Sequence, residues 1–275
     1  MSLALQKVIL SITPACNFKC KFCFPSHDHC GSLSFEEQKE LIKKLSASGM
    51  KEITFVGGEP TLCPELPQLI MYAKRLGAIT KLVTNGTGLS EAFLADMAGY
   101  LDCITISVDS VNENALRDIG RQANNMIINK EFYYNLISNI RKHNYRLKIN
   151  TVVSSLNINE DLSDFINYAA PSKWKLFQVL TFELKALRFA ISNKDFAAYC
   201  KSQKEKTAPE TQIVVAPSEF IKGSCTMIDH TGRFFDIVDG SYNYSEPILE
   251  VGVDAAFNQV TVIEAKFLRK MQLAS

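Results

Sequence analysis

Cys16, Cys20 and Cys23 form the run Cys-x-x-x-Cys-x-x-Cys, three thiols within eight residues. Thiolates are the usual ligands of iron–sulfur clusters, and four of them close the site. Three, with no fourth cysteine at ligand spacing, leave one iron open to a substrate or cofactor, as the open position does on a catalytic zinc. The competing reading is a structural metal site whose fourth ligand is His27, His29 or Cys30. A disulfide framework does not suit 275 residues with eight scattered cysteines. The others, Cys63 and Cys103 among them, read as small apolar core residues.

The elements that position these thiols alternate in type. Val8 to Ile12 reads as a strand ending at the cysteine run. Ser34-Phe35-Glu36-Glu37 is a capping box, and the helix after it carries Leu41, Ile42 and Leu45 on one face. Strand Glu52–Val56, helix Leu66–Leu76, strand Thr80–Thr84, helix Ser90–Ala98 and strand Cys103–Val108 follow. Helix Glu131–His143, strand Leu147–Val153, helix Leu162–Ala169 and strand Lys175–Thr181 complete six β/α units. Continuous apolar strands between helices predict a parallel sheet. Six units are too few for a closed eight-fold barrel, which predicts an α/β fold with a partial, open (β/α)6 TIM-like barrel. Residues 1–190 are expected to form it, and 191–275 a C-terminal extension that closes the active site within the same structural domain. In the extension, Asp195–Lys204 reads as a helix and Ile213–Ala216, Cys225–Ile228 and Arg233–Ile237 as short strands. Asp239–Ser245 reads as a mobile loop able to close over substrate, and a final helix runs from Val253 towards Leu268.

In parallel α/β barrels ligands bind at the C-terminal strand ends. Those ends are the cysteine run, Gly57-Gly58-Glu59-Pro60, Thr84-Asn85-Gly86, and Ser107 with Asp109. Lys148 and Asn150 alternate on one face of the fifth strand, as Lys175 and Phe177 do on the sixth. A lysine inside a barrel needs an anion, and two on adjacent strands suggest a polyphosphate. The alternative places both at frayed, solvent-exposed strand starts. Arg121, in a polar Gly/Asn-rich loop, is either a bidentate phosphate clamp or an ordinary surface arginine.

The three cysteines, Phe22 before the third, and the Gly-Gly-Glu-Pro turn resemble the radical S-adenosylmethionine (SAM) superfamily. Gly120-Arg121, Lys148 with Asn150, Trp174-Lys175-x-Phe177-Gln178, Ser107-x-Asp109-Ser110 and Ile248-Leu249-x-Val251-Gly252-Val253 are similar to the viperin family within it. The resemblance covers roughly Val8 to Ala256. It implies a partial barrel, a 4Fe-4S cluster on Cys16, Cys20 and Cys23, and SAM. It also implies that a ribonucleoside triphosphate loses the hydrogen at C4′ and then water. The product would be a 3′-deoxy-3′,4′-didehydro nucleotide, an antiviral or antiphage chain terminator. By position, Phe22, Gly57, Gly58, Glu59, Asn85, Ser107 and Asn150 would hold SAM. Thr54, Arg121, Lys148 and Lys175 would hold the nucleotide, with the proton donor left open between Lys148 and a water chain. A reductant protein of the flavodoxin or ferredoxin type is the implied partner. Glu52, Ile9 and Cys225 depart from the family's pattern in the nucleotide pocket, so CTP, UTP and GTP stay open as substrates. Radical SAM enzymes with a second cysteine set near the C-terminus fit less well, since only Cys200 and Cys225 lie there. A non-catalytic metal-binding protein is the reading of a different class.

Composition narrows the partners. Apolar residues make up 47% of the chain, enough for a core, and no stretch approaches the ~20 apolar residues of a spanning helix. A net charge of +1 does not support direct binding of duplex nucleic acid. The first seven residues lack the apolar core of a signal peptide, so the expectation is no membrane and a cytoplasmic protein with reduced thiols.

Overall fold

A computed structural model describes residues 2–23, 31–123, 126, 128–181 and 184–272. Ten strands form one sheet: β1 Lys7–Ser11, β2 Glu52–Val56, β3 Ile79–Thr84, β4 Cys103–Ser107, β5 Arg146–Val153, β6 Lys173–Gln178, β7 Gln212–Ala216, β8 Thr226–Ile228, β9 Phe234–Asp236 and β10 Asn243–Tyr244. The helices are α1 Phe35–Ala47, α2 Leu66–Arg75, α3 Glu91–Asp96, α4 Glu113–Ile119, α5 Lys130–Lys142, α6 Ser163–Ala169, α7 Leu184–Leu187, α8 Asn193–Lys206, α9 Ser218–Ile221, α10 Ile248–Val251, α11 Val253–Phe257 and α12 Glu264–Gln272.

The strand order is β10-β9-β8-β1-β2-β3-β4-β5-β6-β7. β1 through β7 run parallel, β8 lies parallel to β1, and β9 and β10 complete an antiparallel edge. Period-two alternation sorts the two faces. Leu10, Phe55, Leu82, Ile104 and Leu147 lie in one register row and are buried. Helices α1, α2, α5 and α6 pack their apolar stripes over this face, with Leu41, Ile70, Ile137 and Phe165 all buried. The opposite face carries Ser11, Thr105, Lys148 and Lys175. Val214 of β7 and Phe235 of β9, far apart in the strand order, line one cavity with Ile9 of β1. The sheet is therefore rolled into an open barrel whose interior mixes apolar walls with a few polar and charged side chains. Its largest apolar core takes residues from Leu5 to Ala256.

The capping box forms as expected: the Ser34 N–H donates to Glu37 Oε2 at 2.8 Å, and the Glu37 N–H donates to Ser34 Oγ. Three differences from the sequence reading concern the extension. The barrel is wider than six units, because β7 and β8 extend the parallel sheet at both edges. The final helix is broken between Phe257 and Glu264. The interruption holds Val260-Thr261-Val262-Ile263, β-branched residues that disfavour helix, and the Thr261 N–H donates instead to Asp236 Oδ2 at 2.9 Å. The segment read as a loop over Asp239–Ser245 contains β10, whose Tyr244 stacks with Tyr242 at 6.0 Å between ring centroids.

Candidate active site

The cysteine run docks by backbone contact. The Lys19 N–H donates to the Gly120 carbonyl at 3.1 Å, and the Lys21 N–H donates to the Ile119 carbonyl at 2.9 Å. Gly120 has a φ of +90°, and a Cβ there would lie 2.2 Å from the Lys19 carbonyl oxygen. The Gly58 and Glu59 N–H groups donate to Thr13 and Ala15 carbonyls at 2.7 Å each, and a Cβ on Gly58 would sit 2.3 Å from the Ala15 oxygen. Only glycine permits chains this close. Asn85 adds a side-chain tie, with Nδ2 donating to Asn17 Oδ1 at 2.8 Å.

Glu59 is 1% exposed and its carboxylate is fully occupied. It accepts from Thr84 Oγ1 at 2.5 Å, Thr61 Oγ1 at 2.6 Å and the Asn85 N–H at 2.7 Å. Its side chain thus binds the end of β2 to the end of β3, leaving glycine backbone to face the cavity. Phe22 packs its ring edge-on against Phe189 at 5.9 Å.

Cys16, Cys20 and Cys23 line a cavity of about 400 Å³ with Gly57, Gly58 and Glu59. Burial pushes the Cys16 and Cys20 thiols up, and the Arg121 guanidinium partly offsets this. Arg121 is itself buried, with Nε 2.6 Å from Asp109 Oδ2. Burial alone would lower its pKa, but the Asp109 carboxylate outweighs that and holds Arg121 firmly cationic. Asp109 also accepts the Val152 N–H at 2.8 Å.

A second chamber of about 160 Å³ adjoins the first, and both are walled by Ile9, Asn150, Lys175, Phe177, Cys225 and Lys270. Thr54, Lys7, Lys81 and Lys148 complete its polar lining, and Glu52 is its one carboxylate among the described residues. Glu52 pairs with Lys81 at 2.6 Å and Lys7 at 3.8 Å. Lys148 is 5% exposed, and its ammonium makes no hydrogen bond or ion pair among the described residues. Burial lowers its pKa, and Lys81 and Arg146 add to the lowering. Lys175 is pushed down to about 7 by burial and by Lys270 and Lys148, and Lys173 to about 8 by burial and its neighbouring cations. The chamber holds more cations than anions, which is the electrostatics of an anion site.

In the wall of the first chamber, two buried oxygens lack partners among the described residues, Ser11 Oγ and Asn150 Oδ1. They offer polar contacts to a bound organic group. No three His, Cys, Asp or Glu side chains among the described residues converge on a single metal ion. Thiols spread around a cavity wall suit the corners of a cluster better than one ion. His27, His29 and Cys30 lie outside the described residues.

A family model of the radical SAM superfamily matches residues 10–169. The chain is 40% identical over 264 residues to an S-adenosylmethionine-dependent nucleotide dehydratase of Flammeovirga pacifica, covering 92% of this chain and 90% of the relative. The chain belongs to the radical SAM superfamily, and within it to these dehydratases. It is also 30% identical over 273 residues to the S-adenosylmethionine-dependent nucleotide dehydratase of Oncorhynchus mykiss, covering 94% of this chain and 77% of that one. Among solved structures, native anSMEcpe with bound AdoMet superposes with a TM-score of 0.70 at 14% identity, over 96% of this chain and 82% of that one. Streptococcus suis SuiB bound to S-adenosylmethionine does so with a TM-score of 0.65 at 13% identity, over 83% of this chain and 59% of that one. At these identities the structures establish the fold.

The residues singled out from sequence divide between the chambers. Cys16, Cys20, Cys23, Gly57, Gly58, Glu59, Asn85, Ser107 and Arg121 line the first, Thr54 and Lys148 the second, and Asn150 and Lys175 both. Arg121 stands by the cysteines, apart from Lys148. Phe22 lies behind the wall in a small apolar cluster. Lys7, Lys81 and Lys270 escaped sequence reasoning. Strand alternation could have found Lys81, whereas Lys270 comes from a surface-patterned helix.

Replacing Asp109 with alanine strands a buried guanidinium. The expected loss is about 3–5 kcal/mol, read as a fall in the urea midpoint. A loss below 1 kcal/mol would show that Arg121 finds another partner.

Proposed function

We propose that this chain converts a ribonucleoside triphosphate, CTP, UTP or GTP, into its 3′-deoxy-3′,4′-didehydro analogue, a terminator of viral or phage transcription. The observation carrying this reading is the continuity of the two chambers. A lysine-rich hollow fitted to a polyphosphate opens through Asn150 and Lys175 into one walled by three cysteines and a glycine turn. Family membership supplies the reaction class.

In this reading Cys16, Cys20 and Cys23 hold a 4Fe-4S cluster. The backbone of Phe22, Gly57, Gly58 and Glu59, with Asn85, Ser107 and Asn150, holds SAM. Bound there, the cluster and SAM would supply the one-electron chemistry that opens the C4′–H bond. The chain does the rest. Lys148 and Lys175 neutralise the phosphates, joined by Lys81 and Lys270. Arg121, locked on Asp109, sets positive charge at the thiol end. Thr54 faces the nucleotide. Ile9, Val56, Val83, Val152 and Phe177 give the cavity a dry wall that excludes water. Lys148, whose ammonium burial makes more acidic, gives a proton to the departing 3′-hydroxyl. A flavodoxin- or ferredoxin-type protein supplies the electron, in the cytoplasm. No helix of the described residues is long and apolar enough to cross a membrane.

The test is anaerobic. The reconstituted protein with dithionite and SAM receives ATP, CTP, GTP and UTP separately, and 5′-deoxyadenosine and each nucleotide are followed by mass. One of CTP, GTP and UTP should lose a water in step with 5′-deoxyadenosine; cleavage of SAM with every nucleotide intact sinks the substrate reading. Lys148→Met should lower the rate by about a hundredfold or more.

Lys175 carries the pH signature. Free, it deprotonates near 7, and a bound triphosphate raises that value by favouring the ammonium. Binding therefore takes up a proton above about pH 7. Affinity should fall by up to about tenfold per unit as pH rises beyond it, and Lys175→Arg should flatten the profile. An unchanged slope in the variant would remove Lys175 from the site.

A further inference from the structure

Cys225 stands in the wall shared by the two chambers, and its Sγ accepts a hydrogen bond from the Lys270 ammonium. Ser224 Oγ lies 3.5 Å from the same sulfur. Burial raises the thiol, but Lys270, Ser224 and Lys175 outweigh it and draw its pKa below the ordinary value. The sulfur sits in a chamber wall lined by Lys7, Lys81, Lys148, Lys175 and Lys270, with Glu52 its one carboxylate among the described residues. Lys270 is delivered there by an anchored helix. In α12, Lys266 Nζ donates to the Lys222 carbonyl at 3.1 Å, Phe267 is buried, and the Arg269 guanidinium sits 5.3 Å from the Phe220 ring centroid. The Ile263 N–H donates to the Gly223 carbonyl at 2.9 Å just before the helix. The Cys225 sulfur and the Lys270 nitrogen are therefore held in direct contact inside the cavity.

We propose that Cys225 and Lys270 form a dioxygen-driven modification site, an S–O–N bridge between Sγ and Nζ that shuts the triphosphate chamber. Counted as thiol and amine, the pair reacts with one dioxygen. An S–O and an O–N bond form, while the S–H bond, one N–H bond and the O–O bond break. One water leaves with both hydrogens and the second oxygen. Sulfur and nitrogen each lose two electrons, and dioxygen takes all four. Two equivalents of a dithiol reverse the step, each giving two electrons and two protons as it closes to its disulfide, and the oxygen leaves as water. The bridge ties α12 to the start of β8 and converts Lys270 into an O-sulfenyl hydroxylamine too weakly basic to stay charged. The consequence for substrate rests on the nucleotide reading above; formation of the bridge does not.

The experiment uses the full chain without cluster or SAM. Anaerobic and air-exposed samples are digested and their peptides weighed. Air should yield the peptides of Cys225 and Lys270 joined, heavier than their sum by one oxygen less two hydrogens. Dithiothreitol should undo the product, and Cys225→Ser and Lys270→Arg should each abolish it. Affinity for CTP, GTP and UTP, measured by titration on the same samples, should fall about tenfold for each one bound on oxidation and recover with dithiothreitol. Recovery of Cys225 only as free thiol or as sulfinic acid, with Lys270 unmodified, overturns the bridge. Bridging without a change in affinity overturns the switch. A reduced chain that binds none of the three overturns the switch together with the nucleotide reading, while the peptide masses still decide the bridge.

Discussion

An excess of positive charge buried inside a rolled sheet governs this molecule. Lys81, Lys148, Lys173, Lys175 and Lys270 gather on or beside the interior of β3 to β6, and Glu52 is the one carboxylate in the chamber wall among the described residues. Burying unmatched ammonium groups opposes folding. The chain tolerates them because the opposite face of the same strands is dry and close-packed, with Phe55, Leu82, Ile104 and Leu176 buried under four amphipathic helices. Burial and neighbouring cations lower the pKa of Lys173 and Lys175, as such a cost requires. In the proposed reading a bound triphosphate would offset that cost, and the imbalance would contribute to binding.

The thiol end is built by different means. There, close backbone packing and side-chain hydrogen bonds do the positioning: two glycines, the Glu59 carboxylate and the Asn17–Asn85 pair hold the cysteine run against β2 and β3. The Arg121–Asp109 pair provides one fixed positive charge, matched and buried, next to the thiols. One end of the cavity is rigid and charge-balanced, and the other is charged and waiting. A substrate bridging them would have its reacting carbon at the junction, near Asn150 and Phe177.

Much of this was legible in the sequence. The spacing of Cys16, Cys20 and Cys23, the Gly57-Gly58 pair and the alternation of Lys148 with Asn150 carry their geometry locally, so a strand-end rule suffices to place them. The parallel sheet followed from apolar strands between amphipathic helices. What resisted reading depends on contacts distant in sequence. Thr226–Ile228 is a weak strand that becomes parallel only because β1 offers its edge. Lys270 lies on a helix patterned like any surface helix, and only the fold shows its inward end. Arg121 looked free as a sequence, because its partner Asp109 lies twelve residues away on the far side of α4. The β-branched run at Val260–Ile263 was readable in principle, and its effect in breaking the last helix follows from propensity.

The central claim is that a triphosphate held by the lysine chamber presents its ribose C4′ to the thiol end. Deuterium transfer tests this most directly. The anaerobic protein is given its preferred nucleotide deuterated separately at C3′, C4′ and C5′, and the 5′-deoxyadenosine formed is weighed. The account predicts one deuterium gained from the C4′ label and none from the others. Transfer from C3′ or C5′, or formation of 5′-deoxyadenosine at the same rate without nucleotide, would contradict it.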